Sequence, residues 1–159
     1  MSGTPPVAAP AASAPRWLSF RIAGQAYAVP LASVVEVIRD AEVTPVPGSA
    51  PELRGICQLR GQVVPVLDGC RRFGLPSSSA AGAGQAHIVV LAHGAHLAGL
   101  RVDAVGELLE AGDEAMPPPP GRPPRDDDPV EGVLPLQAGF VALLDVGRLC
   151  RLPAGKPAA

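Results

Sequence analysis

The chain has 159 residues and a formal net charge of −2, and 47% of its residues are hydrophobic against 18% charged. This composition predicts one ordinary domain or two very small ones, excludes a disordered polyampholyte and, without a basic run, argues against nucleic-acid binding. Three cysteines without CxxC spacing, together with the lack of a leader-like segment or a long apolar run, predict a soluble cytoplasmic protein with unpaired thiols.

Alternating polar and apolar residues, interrupted by Gly and Pro, predict many short strands rather than long helices. The predicted strands, in chain order, are residues 17–22, 27–31, 56–59, 62–67, 88–91 and 97–102, and a final pair within 132–145. The segment V-V-E-V-I at 34–38 suits either a helical turn capped by Ser33 or a strand, because β-branched residues favour extended backbone. Short helical turns are predicted at 69–73 and, as a closing helix, at 146–152.

A hairpin sequence in the first half of the chain is repeated in the second half. Residues 55–68 read GICQLRGQVVPVLD and residues 132–145 read GVLPLQAGFVALLD, with the same Gly, Leu, Val and final Leu-Asp positions. The segment V-G-E-L-L at 105–109 echoes 34–38 in the same way. Such a repeat indicates two copies of one structural unit.

The repeat and the short strands predict a mainly β fold of two small five-stranded barrels. We expect a first barrel at 17–75, a linker at 76–86 and a second barrel at 87–152, between an Ala/Pro-rich flexible tail at 1–16 and a flexible tail at 153–159. Closed barrels remove exposed sheet edges, and two barrels this small should pack against each other.

No set of side chains has the spacing of a catalytic site. His93 and His96 are three residues apart, but Gly94 and the flanking strands place them in a hairpin turn. Neither they nor His87 has a cysteine or carboxylate close in sequence. A metal-binding protein is therefore kept only as the outside alternative.

Glu36 and Arg60 are the remaining candidates for function. Glu36 lies between apolar residues in V-V-E-V-I, and Arg60 lies in a predicted hairpin turn. They could form a surface ion pair worth about 0–1 kcal/mol or a charged pair at a partner-binding surface, and the residues alone favour neither. Glu107 repeats Glu36, whereas Arg60 has only Gln137 as its counterpart, so such a pair would exist in the first half alone.

From residue 17 to about residue 152 the chain resembles the CheW-type coupling proteins of bacterial chemosensory systems. The motifs that carry the resemblance are F-x-I-x-G-x-x-Y-A-V-P-L at 20–31, V-x-E-V-I at 34–38, V-P-G at 46–48, P-x-L-R-G-I-x-x-L-R-G-Q-V-V-P-V-L-D at 51–68, R-R-F-G-L at 71–75 and G-L-R-V-D-A-V-G-E-L-L at 99–109. The long motif at 51–68 is the most specific of them. The resemblance implies two SH3-like β-barrels, no catalytic activity and no cofactor.

Proteins similar to this one bridge the cytoplasmic tip of a methyl-accepting chemoreceptor and the regulatory domain of a CheA-type histidine kinase. The resemblance therefore implies an adaptor of the same kind, associated with membrane receptors through its partners. Carried over residue by residue, the receptor-facing positions are Val34, Val35, Glu36, Arg60 and Gly61. The kinase-facing positions are Val43, Pro45, Val46 and Gly55.

Departures from the family pattern leave two alternatives open. Glu52 stands where an aromatic residue is usual, and Gly69-Cys70 replaces the usual Leu-Arg. The chain could be a diverged coupling domain for a surface-motility or pilus system, or an inhibitory domain that binds the kinase but not the receptor. The second alternative depends on whether these departures lie among the receptor-facing residues.

Overall fold

The protein contains ten strands in two five-stranded sheets within the residues that the computed structural model describes, which are 15–39, 43–48, 50–75, 86–112, 115–117, 128–137 and 139–150. The strands are β1 (Arg16–Ile22), β2 (Gln25–Pro30), β3 (Val34–Arg39), β4 (Leu53–Leu59), β5 (Gln62–Asp68), β6 (His87–His93), β7 (His96–Val102), β8 (Ala104–Glu110), β9 (Val130–Leu136) and β10 (Gly139–Leu144). A 3-10 turn spans Leu31–Ser33, and two four-residue helices are α1 (Gly69–Arg72) and α2 (Val146–Leu149). The prediction of a mainly β, SH3-like fold is confirmed, and segment 34–38 is a strand.

Each sheet combines strands from both halves of the chain. The first sheet has the order β8-β1-β2-β10-β9, and the second has the order β3-β6-β7-β5-β4. Parallel pairing joins β2 to β10 through Tyr27 and Ala142, and β5 to β7 through Val66 and Gly99. The predicted division into one barrel at 17–75 and another at 87–152 is therefore wrong, because the opening hairpin of each half lies in the sheet of the other half.

Burial explains this exchange of hairpins. Strand β1 buries side chains on both faces: Leu18 and Phe20 point to the core between the sheets, and Trp17 points to a second cluster on the other face of its own sheet, where Ser19 is half-buried and Arg21 exposed. The inner position between β8 and β2 gives the backbone groups of this largely buried strand hydrogen-bond partners on both sides.

Three apolar clusters hold the fold together. The largest lies between the sheets and includes Phe20, Leu100 and Leu144, each with at most 1% of its surface exposed. Tyr27 stacks within this cluster between Phe20 and Phe73, at ring-centroid distances of 6.2 and 4.4 Å. The first sheet encloses a cluster around Trp17, and the second sheet encloses one around Val64.

The buried side chain of Arg72 connects the two helices. Its Nε donates to the carbonyl of Leu149 at 2.9 Å and its Nη2 donates to the carbonyl of Arg148 at 2.7 Å. These carbonyls belong to the last turn of α2, where helix carbonyls lack the next-turn amide as a partner; the Arg148 carbonyl also accepts from the Cys150 amide at the C-cap. The contact therefore fixes the closing helix against the first half of the chain.

A glycine at the head of each repeated hairpin allows a loop to lie against the sheet. Thr44 forms a bridge with Ile56, and Met116 forms one with Val133. A Cβ atom on Gly55 would lie 2.3 Å from the Thr44 carbonyl oxygen, and one on Gly132 would lie 2.7 Å from the Met116 oxygen. The repeated glycine thus has a packing reason.

Several predictions concern residues outside the described part of the chain. The linker at 76–86 is described only at Ala86, which is buried, and the tail at 1–16 only at Pro15 and Arg16. The tail at 153–159 lies wholly outside, and the predicted closing helix at 146–152 is seen as Val146–Leu149. No helix in the described ranges has the length and apolar character needed to cross a membrane.

Candidate functional site

An ion pair joins the edge strand β3 to the turn of the β4–β5 hairpin. The Nη2 of Arg60 donates to Oε1 of Glu36 at 2.6 Å. The Arg60 side chain is 76% exposed and the Glu36 side chain 22%. The carboxylate therefore lies partly sheltered against the sheet, and the guanidinium covers it from the solvent side.

The local geometry follows from the turn and from the strand period. Arg60 and Gly61 have φ values of 54° and 82°, which are those of a two-residue type I′ turn whose twist matches the flanking strands. On β3 the side chains alternate, so that Val34 packs against the central cluster while Val35 is 46% exposed on the opposite face. The predicted receptor-facing residues are thus adjacent in space, although Val35 and Glu36 point to opposite faces.

The ion pair contributes little to the stability of the fold, but it leaves hydrogen-bond donors of Arg60 exposed at the surface. An exposed ion pair is worth roughly 0–1 kcal/mol, because water screens it and two long side chains lose freedom. The described bond uses one of the five N–H donors of the Arg60 guanidinium. The remaining donors face solvent, where a partner carboxylate or carbonyl can accept from them.

The predicted kinase-facing residues include two that are exposed and two that are buried or half-buried beneath them. Pro45 and Val46 are exposed, with Val46 at 36%. Val43 is half-buried and packs on the cluster of the second sheet, and Gly55 is buried beneath the loop that contains Thr44. Only Pro45 and Val46 can therefore contact a partner directly, whereas Val43 and Gly55 position them.

The departures from the family pattern lie at the other end of the same hairpin. The amide of Asp68 donates to the carbonyl of Glu52 at 2.9 Å, and Gly69 begins α1 directly after β5. Seven-residue strands place these positions roughly 20 Å from the Arg60 turn. Glu52 is half-buried, and its Oε1 is buried without a hydrogen-bond partner in the described residues, which no feature of the sequence indicated.

The histidines and cysteines do not converge on a centre. His93 and His96 face each other across the β6–β7 hairpin, whereas His87 pairs with Val102 at the opposite end of β6. Within the described ranges no group of three or more His, Cys, Asp or Glu side chains could hold a metal ion. Burial raises the pKa of the Cys150 thiol to about 11. The Cys150 thiol is therefore protonated, and a poor nucleophile, at neutral pH.

Exposed apolar side chains at repeated positions were not identified from the sequence. Val63 and Phe140 occupy the same place in the two repeated hairpins and are 60% and 62% exposed. Val37 and Leu108 likewise occupy equivalent places on β3 and β8 and are 37% and 48% exposed. Alignment of the two halves could have flagged both pairs, because each keeps an apolar residue at a position that faces solvent.

Comparison with known proteins identifies relatives. The sequence model of the CheW-like domain family matches residues 16–153. The chain is similar to the probable chemotaxis protein CheW of Rhizobium etli, with 33% identity over 105 residues that cover 65% of each protein. It is also similar to the protein PilI of Pseudomonas aeruginosa, with 29% identity over 105 residues that cover 64% of this chain and 58% of PilI. Both matches span less than two thirds of the relative's length.

A solved structure gives a more complete match. The chain is similar to the scaffolding protein TtCheW from Thermoanaerobacter tengcongensis, with a TM-score of 0.79 and 26% sequence identity. The superposition covers 90% of this chain and 92% of that protein.

Proposed function

The chain belongs to the family of CheW-like domains, and we propose that it is a non-enzymatic adaptor that couples chemoreceptors to a CheA-type histidine kinase in a cytoplasmic chemosensory array. The observation that carries the proposal is the Glu36–Arg60 ion pair on an edge strand whose opposite face presents the exposed Val35. A charged pair that adds little to stability, next to an exposed apolar side chain, is typical of a binding surface.

The two candidate surfaces lie on different parts of the second sheet. The receptor-facing surface comprises Val35, Glu36, Arg60 and Gly61, supported by the half-buried Val34. The kinase-facing surface is the exposed Pro45-Val46 segment, held by Val43 and Gly55. We expect each interface to be small, below about 1,200 Å², with strength supplied by many repeated contacts in an array.

The position of the departures bears on the inhibitory alternative. Glu52 and Gly69 lie at the far end of the hairpin from Arg60, so they leave the receptor-facing residues unchanged. Glu52 is closer in the chain to Gly55 than to Arg60, which favours an effect of this departure on the proposed kinase-facing side. This arrangement supports a working coupler with an altered choice of kinase over a domain that has lost its receptor.

A pilus or surface-motility system is the second candidate. The similarity to the protein PilI supports it. Such a role requires the same two surfaces, so the two candidates differ in partner and not in mechanism.

The decisive experiment is a titration against both partners. The unsubstituted protein is titrated first with the isolated regulatory domain of a CheA-type kinase from the same cell and then with the receptor tip. The variants Arg60→Ala and Val46→Glu are titrated in the same way. Arg60→Ala should weaken binding to the receptor tip and leave binding to the kinase domain unchanged. Val46→Glu should weaken binding to the kinase domain and leave binding to the receptor tip unchanged. Binding to the kinase alone by the unsubstituted protein would establish the inhibitory alternative, and binding to neither would refute coupling.

A further inference from the structure

The first sheet has a cavity where the second sheet has an ion pair. The cavity measures about 550 Å³ and lies between the edge strand β8 and the turn after β9. Glu107 and Gln137 line it. They are the repeat counterparts of Glu36 and Arg60, whose side chains meet at 2.6 Å in the second sheet.

The strand registers confirm that the two places are equivalent. Trp17 pairs with Leu109 in the first sheet as Ile88 pairs with Ile38 in the second. Two residues further along, Ser19 on β1 takes the place that Val90 has on β6 beside Glu36. Ser19 lies beside Glu107, and its hydroxyl donates to the Glu107 carbonyl at 2.7 Å.

Small side chains explain why the cavity is open. In the second sheet Val90 pairs with Glu36 and belongs to the cluster that Leu97 also packs against. The corresponding positions of the first sheet are Ser19 and Ala26, and both line the cavity. Replacement of branched side chains by smaller ones removes the atoms that would fill the space.

Glu107 lines the cavity as an exposed residue and lacks the ion pair that Glu36 has. No ion pair involving Glu107 is present among the described residues, and Gln137 carries no charge to supply one. Arg21 also lines the cavity, but its described bond is from Nη1 to the Gly24 carbonyl at 3.3 Å. The wall is otherwise largely apolar, with Leu109 and the 44% exposed Leu136 among its side chains.

We propose that this cavity is a docking site for an arginine that a partner protein presents on a turn next to an aliphatic residue. The guanidinium bonds to the Glu107 carboxylate as Arg60 bonds to Glu36, and the aliphatic neighbour packs on Leu109 and Leu136. The Leu59-Arg60-Gly61 turn of this chain is the template for such a segment. This site is separate from both surfaces of the proposed coupling function.

The test uses a peptide that copies the template. The probe contains residues 56–64 with Cys57→Ser, and its binding to the full chain is followed by the NMR signals of Leu109 and Leu136. We expect saturable shifts at these residues, and roughly fivefold weaker binding for the peptide in which Arg60 is replaced by Gln. Equal binding of the two peptides, or no shifts at the cavity, would overturn the proposal.

Two variants of the protein make the test specific. Glu107→Gln should abolish the preference for the arginine peptide, while Glu110→Gln, at an exposed position of the same strand outside the cavity lining, serves as the matched control and should preserve it. Gln137→Arg places in the first sheet the positive charge that Arg60 provides in the second. It should reduce peptide binding, because the new arginine side chain would pair with Glu107 in place of the peptide arginine. Undiminished binding to Gln137→Arg would refute the assignment of Glu107 as the recognised group.

Discussion

Replacement of Arg60 by alanine separates a binding role from a structural one. The residue has φ of 54°, a conformation equally strained for arginine and alanine, so the substitution changes little in the turn itself. It removes the bond to Glu36 at 2.6 Å. Because the Arg60 side chain is 76% exposed, the lost ion pair is worth at most about 1 kcal/mol.

This loss corresponds to a small change in thermal stability. For a chain of this size about 1 kcal/mol shifts the thermal midpoint by roughly 2–4 °C, and we expect Arg60→Ala to fall within that range. Affinity for the receptor tip should fall about tenfold or more, because the guanidinium donors that face solvent are lost from the interface. Thermal unfolding followed by circular dichroism and a binding titration provide the two measurements.

Gln137→Ala is the matched control, since Gln137 occupies the same turn position of the repeated hairpin without an ion pair. It should change neither the midpoint nor the receptor affinity. A fall of more than about 10 °C for Arg60→Ala would show that the reasoning from exposure is wrong and that Arg60 is structural. Unchanged receptor affinity with a stable fold would refute its placement at the interface.

Three further substitutions test the packing and the ionisation. Gly55→Ala should lower the free energy of unfolding in urea by at least about 2 kcal/mol, and Gly48→Ala should lower it by less. Both glycines have positive φ, but only at Gly55 would the added Cβ lie 2.3 Å from a backbone oxygen. Equal losses for the two variants would contradict this explanation. Arg72→Met should cost about 2–4 kcal/mol in the same assay, because two carbonyls of α2 lose their donor, and near-native stability would show that water replaces it. Because burial raises the pKa of Cys150 from 9.0 to about 11, the thiol favours the folded state below pH 9 and this contribution is lost between pH 9 and 11. Cys150→Ala should flatten that decline in unfolding experiments, and an unaltered slope would contradict the assignment to Cys150.

The local elements could be read from the sequence. The hairpin turn at Arg60-Gly61, the strands on either side of it and the second copy of the hairpin all follow from turn chemistry and period-two alternation, which act between residues close in the chain. The family resemblance rested most on the motif at 51–68, and Glu36 and Arg60 were the candidates left after the histidines and cysteines, with the repeat showing that Arg60 has no charged counterpart. The 2.6 Å contact between them agrees with both interpretations of the residues, a surface ion pair and a charged pair at a partner-binding surface.

The partition of strands between the sheets was decided only by the tertiary structure. Periodicity shows that β1 and β2 form a hairpin, but not that β2 lies parallel to β10 rather than beside a strand of its own half. The same limit hid the burial of Glu52 and the cavity beside Glu107. Pairing of distant strands depends on how their two apolar faces are covered at once, and that coverage is a property of the assembled core rather than of any single segment.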